Sequence, residues 1–291
     1  MTIKKRNKLL LWIIFFTFLP FIILNLFELL NIDFSTSYYD EEIIKVFARL
    51  SGFYGGVVLF WSFILGMRFA LNWITPDYIW GLKVHKILGM YGVLIALLHP
   101  LLILIHKVED YLYLFIPSFR TEYSQHVTFG RISFILLLII YITSAILRDK
   151  IKYRPWLYIH YLSYPILFFT FLHAYDLGGY LENILFIKAY WTILFFIFLG
   201  LSLYRIFTYI NFFKYKFVID EVTNPADKIY LFRLTAMNGM PKNINVGQFF
   251  YLKTKAFGEA HPYSVMKIEK DTLTFGVLSV GKFSINLKNF S

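Results

Sequence analysis

The sequence predicts an all-α six-helix bundle in a membrane, followed by a small antiparallel β-structure. Of the 291 residues, 58% are hydrophobic and 21% are aromatic. Only 16% are charged, against about 25% in ordinary soluble domains. After Phe213 the apolar runs become short and alternate with polar residues. These values exclude a disordered chain and make a single soluble domain a poor description.

Six apolar stretches are long enough to cross a bilayer, which takes about 20 helical residues. They lie near residues 9–30, 50–73, 83–106, 128–147, 156–175 and 189–211. A basic cluster at residues 4–8 precedes the first stretch and resembles the start of a signal peptide. Its apolar run is too long for one, and no small-residue cleavage site follows, so we predict an uncleaved first helix.

The charged residues predict the orientation in the membrane. Lys and Arg follow every second predicted span, whereas Asp and Glu collect in the intervening loops. Because cytoplasmic loops are enriched in basic residues, we expect both termini in the cytoplasm. The same distribution explains the net charge of +11 without a nucleic-acid partner. The sequence has no Cys, which excludes disulfides, iron–sulfur clusters and thiolate-bound haem.

The residues after Phe213 predict strands. Alternating runs extend from Lys216 to Val222, Lys228 to Thr235, Gln248 to Thr254 and Thr272 to Val280. Clusters of turn-forming residues at 224–227 and 238–241 separate the first three. We therefore predict two domains, a six-span membrane domain at 1–213 and a β-domain at 214–291.

Four histidines in two predicted spans are the main candidates for a functional site. The third span contains His85 and His99, and the fifth contains His160 and His173. These spans run in the same direction, so two histidines lie near the cytoplasmic end and two near the outer end. A facing pair of neutral imidazoles is the ligand set of a six-coordinate haem iron. The spacings of 14 and 13 residues correspond to about 20 Å of helix. Two stacked haems at that separation would span most of a hydrocarbon core of about 30 Å.

Simpler interpretations remain open at this stage. A histidine in a membrane helix is often a hydrogen-bonded packing residue, and a di-metal site is a further alternative. A spacing of 14 residues, as between His85 and His99, returns nearly to the same helix face, but a spacing of 13, as between His160 and His173, does not. A kink at Pro165 could bring the last two histidines onto one face. His106 and His126, at the outer ends of spans three and four, are predicted to be solvated interfacial residues, with a metal or substrate site as the alternative.

Several segments resemble one family. His85-Lys86-Ile87-Leu88-Gly89 with His99-Pro100 resembles the third helix of the ferric reductase and NADPH oxidase superfamily. Trp156-Leu157-Tyr158-Ile159-His160 with His173 resembles its fifth helix. The resemblance implies two haems, expected to be b-type, with His85 and His160 on the inner haem and His99 and His173 on the outer one. Ala48-Arg49-Leu50-Ser51-Gly52 is similar to a family segment whose Arg lies near the outer haem. Arg49 is therefore a candidate for the outer acceptor site, with a role as interfacial anchor as the alternative.

The β-domain carries a second resemblance. Gly247-Gln248-Phe249 followed by His261-Pro262-Tyr263-Ser264 resembles the flavin-binding barrel of ferredoxin-reductase-type proteins. This implies a small antiparallel β-barrel, part of an FAD-binding domain, with FAD against His261, Pro262, Tyr263, Ser264 and Val265. Gly281-Lys282-Phe283-Ser284 resembles the family's Gly-x-x-Ser/Thr turn, which implies that Gly281 and Ser284 meet the pyrophosphate. No Gly-rich dinucleotide fingerprint follows. We therefore expect a truncated FAD domain, with NAD(P)H acting through a missing domain or a reductase partner.

Together these features predict a transmembrane flavohaem oxidoreductase. Electrons would pass from cytoplasmic FAD through two bis-His haems to an extracytoplasmic acceptor, either ferric iron or dioxygen. The alternative is a haem-binding membrane electron-transfer subunit that serves a partner protein. A transporter is a third possibility, but it would need polar groups near the membrane midplane, and we find no carboxylate there.

Overall fold

The computed structural model describes residues 3–30, 32, 34–35, 38–74, 77–106, 111–177, 181, 183–210, 215–241, 244–254 and 260–287. The chain divides into two compact units, Met1–Leu201 and Ser202–Ser291. The domain boundary predicted at Phe213 lies outside the described residues.

The first unit is helical. Its helices are α1 (Ile3–Leu30), α2 (Tyr39–Gly66), α3 (Arg68–Ile74), α4 (Tyr78–His106), α5 (Glu122–Tyr141), α6 (Tyr153–His160), α7 (Ser163–Leu177) and α8 (Leu185–Tyr209), which continues into the second unit. A 3₁₀ turn covers Tyr111–Leu114, and a π-helical turn, Ile142–Ile146, extends α5. Among the described residues, four segments are long and apolar enough to cross a membrane: Asp40–Gly66, Tyr78–Ile105, Glu122–Ile146 and Leu185–Tyr209. The protein is therefore an integral membrane protein, and the count of six spans stays a prediction.

Two predicted spans are each broken into two helices, the second between α2 and α3 and the fifth between α6 and α7. Helix α6 ends at His160, and α7 begins at Ser163 after a two-residue turn. The expectation of a kink at Pro165 within a continuous helix is therefore wrong. Pro165 lies in the first turn of α7, where its missing N–H costs nothing, and its ring would clash with the carbonyl of residue 161 in a continuous helix. The break resets the helical phase between His160 and His173.

Helix α2 is the centre of the first unit. Its side facing α4 is lined by small residues, and a Cβ placed on Gly55 would lie 2.6 Å from the Cα of Ala96. Such close backbone approach is typical of packing between membrane helices. Elsewhere α2 contributes to an aromatic core with α7 and α8, in which Phe60, Phe171 and Trp191 are almost fully buried.

Polar contacts fix α5 at its start and along its length. Thr121 and Ser124 form a reciprocal capping box, which satisfies backbone N–H groups in the first turn. The Thr128 hydroxyl donates to the carbonyl of Ser118 at 2.7 Å and accepts from its N–H at 2.8 Å. Further along, the Ser133 hydroxyl donates to the carbonyl of Ile166 in α7 at 3.0 Å. These bonds join α5 to the preceding loop and to α7.

The second unit contains an antiparallel sheet and a short helix. The strands are β1 (Phe217–Ala226), β2 (Ile229–Ala236), β3 (Phe249–Leu252), β4 (His261–Ile268) and β5 (Thr272–Leu278), and helix α9 covers Lys282–Leu287. Their order is β1-β2-β5-β4-β3. The described sheet is therefore open, with β1 and β3 at its edges, whereas the sequence predicted a barrel. Sequence patterning also missed β4, because Pro262 interrupts its alternation of polar and apolar residues.

Buried apolar residues alternate with partly exposed residues along the central strands, and the buried ones form the core of the sheet. Leu273, Phe275 and Val277 are buried on β5, while the residues between them are partly exposed. Phe232 on β2 is fully buried and is paired in register with Phe275. This period of two is the pattern expected for a sheet with one face covered.

Candidate functional site

The four predicted histidines lie in two facing pairs. His85 in α4 and His160 at the end of α6 have ring centres 6.1 Å apart and ring planes at 78°. His99 in α4 and His173 in α7 also have ring centres 6.1 Å apart, with ring planes at 68°. Helix α4 thus provides one histidine of each pair, and the broken segment α6–α7 provides the other.

Three of these rings are anchored through Nδ1 to a backbone carbonyl. His85 Nδ1 donates to Ser62 O at 2.7 Å, and His99 Nδ1 donates to Ala48 O at 2.8 Å. His173 Nδ1 donates to His126 O at 2.9 Å. Because a carbonyl can only accept, the proton of each neutral ring lies on Nδ1. The Nε2 lone pair is then the one available to a metal, as at ligating histidines held by an outer hydrogen bond.

His160 is held differently. Its Nδ1 lies 3.3 Å from the hydroxyl oxygen of Ser144, which sits in the π-helical turn after α5. The same oxygen accepts from the indole Nε1 of Trp156 at 3.1 Å. The rings of Trp156 and His160 are stacked, with centres 5.0 Å apart and planes at 25°. The Arg148 guanidinium lies over the Trp156 ring, 4.4 Å from its centre.

Glycines make room for three of the histidine rings. A Cβ on Gly130 would lie 2.6 Å from His173 Nδ1, closer than real Cβ contacts. The nearest ring atoms would be 3.0 Å from a Cβ on Gly66, beside His85, and 3.1 Å from one on Gly52, beside His99. Each of these rings therefore packs directly on the backbone of the neighbouring helix.

The ring separation agrees with two imidazoles on opposite sides of one metal. An imidazole nitrogen binds a metal at about 2 Å, and the ring centre lies about 1 Å behind it, so two such rings have centres about 6 Å apart. The ring centres in both pairs are 6.1 Å apart. Within the described residues, no three or more His, Cys, Asp or Glu side chains come together as at a protein-only metal site.

Two further polar groups lie next to the residues that accept from His99 and His173. Arg49 forms an ion pair with Glu28, with Nη2 and Oε2 3.1 Å apart. It directly follows Ala48, the acceptor for His99. His126 Nδ1 lies 3.1 Å from the Asp176 carboxylate, and both side chains are partly exposed. Of the predicted interfacial histidines, the side chain of His106 is outside the described part of the structure.

The residues predicted to meet a flavin lie on β4 and at the start of α9. The ring of Phe283 stacks on His261, with centres 4.0 Å apart, and lies nearly parallel to Tyr263 at 6.2 Å. Pro262 and Ser264 are exposed, whereas Val265 is buried. Burial also raises the pKa of the Tyr263 phenol. Phe283 therefore joins the two predicted flavin segments.

Gly281 and Ser284 close the first turn of α9. The Gly281 N–H donates to the Ser284 hydroxyl oxygen at 3.1 Å, and that hydroxyl donates to the Gly281 carbonyl at 2.9 Å. Ser284 is buried. In this structure its hydroxyl is engaged within the turn, so the described bonds give it a capping role.

Sequence reasoning overlooked the groups that hold the histidines. The acceptors at Ala48, Ser62 and His126 are backbone carbonyls, which carry no residue signal. Gly130 has such a signal, because a glycine inside an apolar helix reduces helix stability by about 1 kcal/mol and usually has a packing reason. Ser144 would have been harder to find, since a π-helical turn brings it to His160.

Comparison with known proteins matches a segment of the membrane-spanning region to one family. Residues 51–171 match the family described as "Ferric reductase like transmembrane component". A search of curated proteins found no match. The matched segment contains His85, His99 and His160 and ends two residues before His173. Over residues 51–171, this chain is therefore similar to the ferric-reductase-like superfamily.

Proposed function

We propose that this protein is a transmembrane flavohaem oxidoreductase. Electrons pass from cytoplasmic FAD through two bis-His haems to an extracytoplasmic acceptor, which is ferric iron or dioxygen. The observation that carries the proposal is the pair of matched histidine sites, each with ring centres 6.1 Å apart. Transmembrane electron transfer is also the activity suggested by the family.

In this proposal His85 and His160 hold the inner haem, and His99 and His173 hold the outer haem. When bound, haem supplies one-electron redox chemistry, and FAD converts between two-electron donors and one-electron acceptors. The protein fixes each imidazole through Nδ1 and directs Nε2 to the metal. Two histidines per site are enough because a porphyrin provides the other four nitrogens. With two histidines as protein ligands, each haem would suit electron transfer rather than ligand binding at iron.

The membrane topology follows the charge distribution. We propose six spans with both termini in the cytoplasm, a membrane domain at 1–213 and an FAD-binding β-domain at 214–291. In support, the described residues of the six predicted apolar stretches are mainly helical, the second as α2 and α3 and the fifth as α6 and α7. The basic residues at the ends of these stretches favour the cytoplasmic side for both termini.

Arg49 is proposed to act at the outer acceptor site. Its positive charge lies next in sequence to Ala48, which anchors His99. A fixed cation at this end favours the negative charge that an acceptor such as dioxygen gains on reduction. The ion pair with Glu28 holds the side chain in place and moderates its charge.

The FAD site is proposed along β4 and the α9 turn, at His261, Pro262, Tyr263, Ser264, Val265, Gly281 and Ser284. Stacking of His261 and Tyr263 with Phe283 brings these segments together. Pro262 and Ser264 are exposed, and the Ser264 hydroxyl is available to a ligand. NAD(P)H is the ultimate donor, through a nucleotide-binding domain or a partner reductase.

Spectroscopy and single substitutions test the haem ligands. Purified protein should show a low-spin bis-His spectrum with two haems per chain. His99→Ala and His173→Ala should each remove one haem, because each breaks the outer pair. His126→Ala is the matched control, since its backbone carbonyl still accepts from His173. Unchanged haem content in both ligand variants would disprove the assignment.

Flavin content and acceptor assays test the rest of the pathway. FAD should be retained at about one per chain. Protein that binds two haems but no FAD would instead be a haem-binding electron-transfer subunit serving a partner. Parallel ferric-chelate and superoxide assays, with an added reductase, would distinguish the two acceptors.

A further inference from the structure

We propose that Trp156 is a positioning residue for His160 and that, with Ser144 and Arg148, it makes His160 the weakest electron donor of the four histidines. The inference rests on the proposed haem ligation. It concerns how the two haem levels differ, which neither the family match nor the ligand assignment specifies.

Trp156 contacts His160, Ser144 and Arg148. It stacks on the imidazole, donates its indole N–H to Ser144, and carries the Arg148 guanidinium over its ring at 4.4 Å. Arg148 also donates to Ile151 O at 3.3 Å, so its position has a second fixed point. The indole therefore bridges a cation and the imidazole, which restricts the rotation of the His160 ring.

The backbone around Ser144 is irregular in a way that serves this contact. The last five residues before Leu147 form a π-helical turn rather than a continuation of α5. Such turns occur in α-helices mainly as single insertions and are frequent at functional sites. The insertion rotates the following residues relative to α5 and places the Ser144 hydroxyl between Trp156 and His160.

The hydrogen bond of His160 is weaker than those of the other three histidines. Their Nδ1 atoms lie 2.7–2.9 Å from backbone carbonyls, whereas His160 Nδ1 lies 3.3 Å from a hydroxyl. That hydroxyl oxygen already accepts from the indole, which reduces its strength as an acceptor. A good acceptor for the Nδ1–H group raises the basicity of a ligating imidazole. The basicity of His160 is therefore raised less than that of the other three histidines.

The charge of Arg148 acts in the same direction. A cation over the indole draws electron density towards itself, and the aromatic ring stacked on that indole is His160, with ring centres 5.0 Å apart. A less basic ligand stabilises the reduced metal relative to the oxidised one. The haem proposed at His85 and His160 should therefore have a higher midpoint potential than it would have if His160 were as basic as the other three histidines. This asymmetry favours electron entry at the cytoplasmic end.

Redox titration of the intact, haem-loaded protein tests the proposal, with each haem as the reference for the other. Trp156→Phe frees the Ser144 oxygen and removes the cation-bearing indole, so the inner midpoint should fall. We expect about a tenfold change in the reduced-to-oxidised ratio, which is about 59 mV for a one-electron couple. Ser144→Ala removes the acceptor, so the inner midpoint should rise. Tyr158→Phe, at an exposed position in α6, is the control.

The opposite signs separate this role from a structural one, because general loosening would move both variants in the same direction. If Trp156→Phe does not fold, Arg148→Gln keeps the indole and should still lower the inner midpoint. Unchanged midpoints, or shifts of the same sign in the Trp156 and Ser144 variants, would overturn the proposal. Wild-type protein without haem would contradict the proposed function before any variant is compared.

Discussion

Replacement of Gly130 by Ala should disrupt the outer histidine pair. A Cβ at this position would lie 2.6 Å from His173 Nδ1, 2.7 Å from Cε1 and 3.0 Å from Cγ. Ordinary contacts between such atoms are about 3.5 Å, so the ring must move by about 1 Å. That displacement breaks or lengthens the 2.9 Å bond from His173 to His126 O.

The size of the effect follows from two opposing terms. Overpacking of this kind costs about 1–3 kcal/mol, while Ala in a helix is favoured over Gly by about 1 kcal/mol. We therefore expect a net loss of about 0–2 kcal/mol at Gly130. Gly200 in α8 is the matched control, because nothing lies within 4 Å of a Cβ placed there.

Haem content and thermal unfolding provide the assay. The Gly130→Ala protein should lose most of the haem assigned to His99 and His173 and keep the inner one, whereas Gly200→Ala should keep both. Gly66→Ala should have a smaller effect, since its closest ring contact is 3.0 Å. If Gly130→Ala retains both haems with an unchanged spectrum, the close contact between the Gly130 backbone and the His173 ring does not position that ring, which would refute the prediction.

Two predictions concern the sheet. Hydrogen bonding and charge from Lys267 lower the pKa of Glu269 to about 2, below about 4.3 in an unfolded chain. This carboxylate therefore stabilises the fold above pH 4.3 and loses that effect as the pH falls towards 2. The difference in melting temperature between wild type and Glu269→Gln should shrink over that range. A difference that stays constant would contradict the shift. Phe232→Ala should cost about 3–5 kcal/mol in denaturant unfolding, because the side chain is fully buried. Val218→Ala, at a half-exposed site, should change stability by less than about 0.5 kcal/mol.

Much of the architecture was accessible from apolar patterning. The described residues of the six stretches predicted as spans are mainly helical, although the second and fifth are each broken into two helices, and a sheet follows the change after residue 213. Matched depth in two parallel spans predicted that His85 lies opposite His160 and His99 opposite His173, and the rings of each pair lie 6.1 Å apart. Their role as ligands stays a prediction. These features depend on length and periodicity, which a single sequence records.

The remaining features depend on tertiary contacts. The turn between α6 and α7 separates His160 from Ser163, although Pro165 alone suggested only a kink. Strand β4 pairs with β5 despite Pro262, because the Val265 side chain enters the core of the sheet. The Ser284 hydroxyl bonds within its own turn, and its predicted contact with a pyrophosphate stays a prediction. Local preference cannot anticipate such choices, since neighbours distant in sequence decide them.

The use of backbone carbonyls to hold three histidines has an evolutionary consequence. Ala48, Ser62 and His126 accept through atoms that every amino acid possesses. Their side chains can therefore drift among relatives while the imidazoles stay oriented, and an alanine scan would pass over these positions. Only a change that shifts a helix, such as a proline or an insertion, would remove these supports. Selection should consequently act on helix spacing here more than on residue identity.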